Sequence, residues 1–149
     1  MKESIITLSW AGTCCSNPPI ISIGVRPERY TYNLIKESQV FVINFPTESL
    51  LKQVEICGTQ SGKNIDKWDA CNFSREKSSK VDVPSIKECP ASMECKVDQI
   101  ISLGTHDLFL GKIVALRIDD QWKKAGYKGM ITYSRGKYGV VKEIGEISS

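Results

Sequence analysis

Three side chains suited to binding a phosphate group lie close together in the first third of the sequence. Arg26 and Arg29 carry guanidinium groups, and Thr31 stands where a short helical pattern begins. Guanidinium N–H groups form a fork that matches phosphate oxygens, and a helix N-terminus attracts anions through its free N–H groups and its dipole. Each residue alone is more often a surface arginine or an ordinary helix cap. Together they predict a phosphate site at the start of a helix.

The residues that precede this site suggest a flat group attached to the phosphate. Trp10 stands ahead of a run of small residues, Ala11 to Ser16, and Asn17-Pro18-Pro19 then turns the chain. An indole can form the wall of a pocket for a planar ring, although tryptophan is as often buried in a core. Thr13 and Cys15 are small enough to let a ligand approach the backbone, or they belong to an ordinary loop. We therefore expect a pocket for a phosphate attached to a flat aromatic group.

One histidine and two lysines are the remaining candidates. His106 is the only histidine and lies in a glycine-containing turn. An imidazole can hydrogen-bond a ligand or transfer a proton near neutral pH, although a single turn histidine is more often a surface residue. Lys63 and Lys67 have equally low individual specificity. Because there is no second histidine and no CxxC pair, we expect no metal site. Every Ser–His–Asp or Cys–His arrangement would need His106, and none can be recognised.

Short strands must position these residues. Apolar runs predict strands, and a helical period predicts a helix from Thr47 to Cys57 with Gly58 as its stop. The predicted strands lie at Ile5 to Leu8, at Ile20 to Val25, at Val40 to Phe45, in a long hairpin that turns at Leu103 to Asp107, and at Met130 to Tyr133. Gly58 to Pro90 is irregular, which favours a functional or mobile loop. The pattern predicts one domain over residues 1–149, an antiparallel barrel with helical insertions.

The composition is that of a globular domain. The 149 residues are 41% hydrophobic and 25% charged, and the net charge of +3 comes from cations mixed with anions. This balance argues against a disordered chain and against nucleic acid as a partner. Met1 to Ser4 lacks the order of a secretory leader, and no apolar run reaches the ~20 residues of a membrane span. We therefore expect a cytoplasmic protein with no membrane partner, in which the six cysteines are free thiols.

The order of several motifs resembles a known family. IITLSWAG, SNPPIISI, VRPERYTYNLIKES and FVINFPT are followed by CGTQSGKNIDKW, ECPASMECKV and LGTHDLFLGKIV. In this order they resemble the flavin reductase-like, FMN-binding split-barrel proteins, and the flavoredoxin branch in particular. The resemblance spans roughly residues 5 to 118, and the ordered set is far more specific than any single motif. It implies a mainly β fold, a Greek-key split β-barrel, that binds FMN near the interface of a homodimer.

The resemblance also implies roles for individual residues. Trp10 and Ala11 would border the isoalloxazine ring of the flavin, with Thr13 and Cys15 in the loop around it. His106 would lie close to the ring, as the histidine of the family's G-x-H-D turn, and is the candidate catalytic residue. The residues implied for the phosphate are Arg26, Arg29 and Thr31, and those that reach the flavin from the insertion are Ser61, Gly62, Lys63 and Lys67. Tyr138 corresponds to an aromatic residue near the flavin.

Two kinds of FMN-binding oxidoreductase fit this resemblance. A flavin reductase takes hydride from NAD(P)H, whereas a flavoredoxin-like protein exchanges electrons with a redox protein partner. The sequence contains no recognisable nicotinamide signature that would decide between them. The alternative from a different class is a non-catalytic barrel that binds single-stranded nucleic acid through basic loops and exposed aromatic residues such as Trp68 and Trp122.

The start of the resemblance differs from the usual family pattern. Family members usually carry another strand before the stretch that matches Ile5, which here follows Met1 by only a few residues. A missing strand leaves an unpaired edge, which folded proteins normally cover. We therefore expect either that the partner subunit covers this edge or that the chain is shortened.

Overall fold

Antiparallel strands dominate the regular structure. The computed structural model describes residues 2–148, and the elements in chain order are β1 (Ala11–Ser16), β2 (Pro19–Val25), α1 (Tyr30–Ser38), β3 (Val40–Phe45), a 3₁₀ turn (Glu48–Leu50), α2 (Leu51–Thr59), α3 (Lys67–Cys71), β4 (Arg75–Glu76), β5 (Ser85–Ile86), β6 (Ala91–Ser102), β7 (Asp107–Ile118), α4 (Asp120–Lys124), β8 (Ile131–Ser134) and β9 (Lys137–Val140). Five strands form one sheet in the order β1-β2-β7-β6-β3, and β4–β5 and β8–β9 form separate pairs. All the pairings are antiparallel, which confirms the predicted mainly β fold.

The core lies between the middle of the main sheet and helix α1. Ile21, Ile23 and Val25 alternate along β2, so their side chains share one face of the sheet. The buried residues of this cluster are Ile21, Ile23, Val25, Tyr32, Ile35, Phe41, Cys95 and Phe109. Burial of each large apolar side chain stabilises the fold by roughly 1.5–3 kcal/mol. The apolar stripe of α1 therefore fixes that helix against β2 and β7.

Gly111 allows the sheet to pack closely in this core. It lies in β7, paired with Ile21 on one side and Val97 on the other. A Cβ atom at this position would overlap the ring of Phe41 and press against the Cβ atom of Cys95. Any larger residue would therefore displace Phe41 from the core.

The first strand of the structure is not the one that the apolar pattern predicts. The prediction of a strand at Ile5 to Leu8 is wrong, and the small-residue run Ala11–Ser16, expected as a loop, forms the edge strand β1. The backbone of the N-terminal segment bonds to helices instead. Thr7 donates through its N–H to Cys57 O at 3.4 Å and through its hydroxyl to Val54 O at 2.6 Å. These bonds hold the segment against α2, and residues 2–8 belong to no strand.

The predicted helices are confirmed with shifted boundaries. The helical pattern from Thr47 to Cys57 becomes the 3₁₀ turn Glu48–Leu50 followed directly by α2, and Gly58 lies inside α2. The first helix begins at Tyr30, one residue before the predicted Thr31. Among the helices of residues 2–148, none combines the length and the apolar character that crossing a membrane requires.

One edge of the main sheet lies beside a cavity. Strand β3 pairs with β6 on one side only. On its other side is a cavity of about 220 Å³, whose lining includes residues 2–8 and residues 40–44. Within residues 2–148, β3 is therefore an unpaired edge that faces the N-terminal segment across an apolar space.

The irregular stretch between α2 and β6 contains a second small core. Trp68 is only 4% exposed, and the guanidinium of Arg75 lies 4.5 Å from the centroid of its ring. Trp122, the other aromatic residue of the nucleic-acid alternative, lies in α4 after β7. It is half-buried, and its Nε1 donates to Lys128 O at 2.9 Å. The expectation that Trp68 is an exposed aromatic residue, on which the nucleic-acid alternative relied, is therefore wrong.

Candidate functional site

Three strands bring the main candidate residues to one end of the sheet. In the β2–β7 pair, Val25 lies opposite Asp107, so Arg26, which follows β2, is beside His106, which precedes β7. Strand β1 begins with Ala11 opposite Ile23 of β2, which places Trp10 at the same end. Trp10 and His106 are therefore neighbours, although 96 positions separate them in the sequence.

Trp10 and His106 form a stacked aromatic pair at this end. Their ring centroids are 4.2 Å apart and the ring planes are tilted by 37°. The hydroxyl of Thr105 lies 3.0 Å from His106 Nδ1, so within residues 2–148 only Nε2 of this ring lacks a hydrogen-bond partner. The backbone of Trp10 is held in place because Gly24 N–H donates to Trp10 O at 2.9 Å. Trp10 is nevertheless 61% exposed. The pair offers an open aromatic surface with one free ring nitrogen.

The N-terminus of α1 lies at the same end of the sheet as this aromatic pair, because the turn from Arg26 to Arg29 joins it directly to β2. Arg29 is the N-cap residue and makes no side-chain cap hydrogen bond. Arg29 N–H donates to Arg26 O, and Tyr32 N–H donates to Arg29 O, both at 3.0 Å. The earlier N–H groups of a first helical turn have no acceptor inside the helix. Thr31, the second residue of α1, is buried, whereas both arginines are exposed. The predicted phosphate residues therefore lie in the turn before the helix, at its N-cap and in its first turn, where backbone donors are open.

The side chain of Arg26 also meets an acidic neighbour. Its Nη1 lies 3.4 Å from Oε1 of Glu28, and both side chains are exposed. A hydrogen bond to its own backbone and the nearby charges of Arg26 and Arg29 lower the pKa of the Glu28 carboxyl. An exposed pair of this kind contributes little to stability, so Arg26 can exchange Glu28 for a bound anion at small cost.

A buried hydrogen bond that no local sequence pattern predicts joins α1 to the start of β7. The hydroxyl of Tyr32 donates to Asp107 Oδ2 at 2.6 Å, and both residues are buried. The ring of Tyr32 packs edge-on against Phe109 with centroids 5.4 Å apart. This hydrogen bond, followed by burial, raises the pKa of Tyr32. The bond links the residue after Thr31 to the residue after His106, and so fixes the phosphate end of the site relative to its aromatic end.

The insertion, here the segment between α2 and α3, packs beside the site at Gly62. A Cβ atom at Gly62 would overlap the hydroxyl of Ser4 and contact the ring of Tyr30, the first residue of α1. Ser61 and Lys63 flank this glycine and are exposed. The predicted segment Ser61, Gly62 and Lys63 is thus packed beside the helix N-terminus.

Lys67 has a different environment from the other lysines of the insertion. It is 5% exposed, and its Nζ donates to Ile5 O at 2.6 Å and to Cys57 O at 2.8 Å. Burial, and to a smaller degree the positive charge of Arg29, lower the pKa of this amine. Lys67 therefore fastens the N-terminal segment to α2, and two of its three N–H donors are used inside the protein.

The other residues implied by the resemblance lie further from this centre. Thr13 and Cys15 continue along β1 beyond Ala11, with an irregularity in the pairing between them. Tyr138 lies in β9, in the separate β8–β9 pair, and packs against Tyr133 with ring centroids 5.3 Å apart. The strand places Thr13 and Cys15 along an exposed edge rather than in a loop. Within residues 2–148, no group of three His, Cys, Asp or Glu side chains is arranged to hold a metal ion.

The chain is similar to known proteins along most of its length. The family model described as the flavin reductase like domain matches residues 2–142. An uncharacterized protein of Archaeoglobus fulgidus is 36% identical over 140 residues, which cover 91% of this chain and 79% of that protein.

Two solved structures are similar over nearly the whole chain. Flavoredoxin of Desulfovibrio vulgaris (Miyazaki F) is 27% identical with a TM-score of 0.87, covering 97% of this chain and 82% of that chain. An FMN-binding protein from Thermus thermophilus is 23% identical with a TM-score of 0.81, covering 95% of this chain and 80% of that one, and it supports the fold alone. The expected resemblance to flavoredoxin and the expected split-barrel fold are confirmed.

The Tyr32–Asp107 hydrogen bond can be tested by removing one hydroxyl. Tyr32→Phe keeps the ring against Phe109 but leaves a buried carboxylate without its donor, so we expect the melting temperature to fall by roughly 3–12 °C. Because the pKa of Tyr32 is raised from 10.0, its stabilisation is complete below that pH and is lost as the pH rises further. The difference between wild type and variant should therefore shrink in alkaline solution, as measured by thermal unfolding.

Tyr30→Phe, on the same helix, is the matched control. Its hydroxyl makes no hydrogen bond within residues 2–148, and this change should leave the melting temperature nearly unaltered. Equal effects of the two substitutions would contradict a specific role for the Tyr32 hydroxyl.

Proposed function

Because the chain belongs to the flavin reductase-like domain family, we propose that it is an oxidoreductase that passes electrons through noncovalently bound FMN. One observation carries the proposal. The open aromatic surface formed by Trp10 and His106 and the N-terminus of α1 lie at the same end of the sheet. FMN consists of a planar ring joined to a phosphate, and these two surfaces match its two ends.

The phosphate end of the proposed site fits FMN by its donors. Arg26 and Arg29 supply guanidinium groups, and the first turn of α1 supplies backbone N–H groups and the positive end of the helix dipole. Thr31 contributes its hydroxyl from inside this turn. Lys63, exposed beside Gly62, adds a further positive charge, and Ser61 a further hydroxyl.

The ring end of the proposed site consists of apolar and small residues. Trp10 provides an exposed aromatic face, and Ala11, Thr13 and Cys15 extend from it along the edge strand. His106 presents Nε2 as the hydrogen-bonding group. In the proposal Lys67 acts from within the protein, because its amine already holds Ile5 and Cys57 in place.

Bound FMN would supply the electron chemistry, accepting a hydride or single electrons, while the protein orients the ring and tunes its potential. Two variants of the proposal differ in the electron donor. A reductase would take hydride from NAD(P)H, and a flavoredoxin-like carrier would exchange electrons with a redox protein. Flavin absorbance of the purified protein tests the cofactor, and anaerobic titration with NADH and NADPH separates the two variants. A colourless protein that does not bind added FMN would refute both.

The phosphate contacts predict a difference between two flavins. Arg26→Ala combined with Thr31→Ala should weaken binding of FMN far more than binding of riboflavin, which lacks the phosphate. Each charge-assisted hydrogen bond contributes roughly 1.5–3 kcal/mol, and the loss can be measured by quenching of flavin fluorescence. Arg26→Ala alone, at an exposed residue, gives the same test without disturbing the buried Thr31.

Lys112→Ala is the matched control for the lost charge. Lys112 is exposed on β7 and pairs with Ile20, at the end of β2 remote from Arg26. This variant should bind both flavins as the wild type does. An equal loss of FMN and riboflavin in the Arg26 and Thr31 variants would remove these residues from the phosphate site.

The position of His106 predicts a pH effect on the flavin potential. A protonated imidazole beside the ring favours the reduced anionic flavin over the oxidised neutral one by electrostatic attraction. The midpoint potential of bound FMN should therefore depend on pH differently in the wild type and in His106→Asn. Potentiometric titrations of both proteins over a range of pH provide the measurement. Superimposable curves would show that His106 has no effect on the flavin potential and serves only in the turn.

We further propose that the chain acts as a homodimer with the site near the interface. Support comes from large apolar residues exposed at the site end of the sheet, Trp10 at 61% and Leu103 at 66%, since such patches mark association surfaces. Light scattering should give a dimer, and Leu103→Glu should shift it towards monomer. Leu51→Glu, at another exposed leucine on α2, should leave the dimer intact. A wild-type monomer with bound flavin would contradict the proposal.

A further inference from the structure

Two buried cysteines lie next to each other outside the proposed flavin contacts. Cys57 is near the end of α2 and Cys71 is the last residue of α3, and their sulfur atoms are 3.7 Å apart. The two residues are 3% and 4% exposed. Among residues 2–148, no other two sulfur atoms lie within hydrogen-bonding distance of each other. Cys95, equally buried, has only the carbonyl of Met93 near its thiol, at 3.9 Å.

We propose that Cys57 and Cys71 form a reversible disulfide that locks the connection between α2 and α3. The sulfur atoms need to approach from 3.7 Å to the bond length of about 2.05 Å. The two helices already pack together through Lys67, which donates to Cys57 O at 2.8 Å. The bond therefore forms between elements that are adjacent in the reduced protein.

The connection that this bond would close carries the insertion's side of the proposed flavin site. Ser61, Gly62 and Lys63 lie between the two cysteines, and Gly62 packs against Tyr30 at the start of α1. A cross-link between residues 57 and 71 closes this segment into a loop and restricts the movement of the three residues. This consequence for the flavin rests on the proposed function, whereas the disulfide itself does not.

The reaction balances as an exchange with a low-molecular-weight disulfide. One protein thiol loses its proton, and its sulfur attacks one sulfur of the small disulfide, which releases a thiol and leaves a mixed disulfide. The second protein thiol then attacks the protein sulfur of the mixed disulfide and releases a second small thiol. Two electrons and two protons pass from the cysteine pair to the small disulfide, and reduction by excess thiol reverses both steps.

The environment of the pair makes this exchange slow and dependent on pH. Burial, and then the neighbouring Cys71 thiol, raise the pKa of Cys57 above that of a free thiol. Since only the thiolate attacks a disulfide, the rate should rise with pH and with opening of the α2–α3 connection. The pair therefore responds to sustained oxidising conditions rather than to brief ones.

The test uses the purified full chain equilibrated with mixtures of oxidised and reduced glutathione. The samples are quenched with acid, alkylated and digested, and the cross-linked peptides are identified by mass. We expect one Cys57–Cys71 cross-link and a rise in the melting temperature of roughly 5–10 °C, because closing a loop of this length restricts the unfolded chain. Excess reduced glutathione should reverse both changes.

Two variants separate this pair from the other thiols. Cys71→Ala should abolish the cross-link and the shift, whereas Cys95→Ala, at a buried cysteine without a cysteine neighbour, should retain both. Cys89, the remaining buried cysteine of residues 2–148, lies in the small core beside Trp68. A Cys57–Cys89 cross-link, or no cross-link under fully oxidising conditions, would overturn the proposal, and so would a Cys57–Cys71 cross-link that leaves the melting temperature unchanged. The wild-type peptide map decides the pairing even if a variant fails to fold. No readout needs a flavin, so failure here leaves the proposed FMN site untouched.

Discussion

The antiparallel pairing of β2 with β7 is the constraint on which the candidate site depends. Its last pair, Val25 and Asp107, sets the residues that follow β2 beside those that precede β7. The Tyr32 hydroxyl closes this arrangement through a buried hydrogen bond to Asp107. A buried carboxylate without that donor would be costly, so strand and helix hold each other in one orientation. The candidate site is thus built on a rigid frame.

The insertion after α2 is attached to this frame by polar contacts in an apolar setting. Lys67 bonds to the carbonyls of Ile5 and Cys57, and so connects the N-terminal segment, α2 and α3 at one point. Gly62 then fits between Ser4 and Tyr30 because it has no side chain. Movement of the insertion must disturb either a buried amine or a close backbone contact. Its loop is therefore better ordered than its irregular sequence indicates.

The main sheet has two edge strands, β1 and β3, and a cavity lies beside β3. Strand β3 pairs only with β6, and the cavity beside it is lined by the N-terminal segment. Unpaired edges favour association with further chain. The apolar residues exposed at the site end, Trp10 and Leu103, form a second surface suited to association. The proposed homodimer would cover these surfaces and enclose the candidate site further.

The sequence by itself determined the features that arise from nearby residues, while the tertiary structure decided those that depend on distant partners. The two arginines, the helix start beside them and the long β6–β7 hairpin were predictable, because turn residues and alternation act within a few positions. The Tyr32–Asp107 bond joins residues 75 positions apart, and no local pattern marks it. Likewise, only packing decided that Lys67 is buried and that the apolar segment near Ile5 bonds to a helix instead of forming a strand.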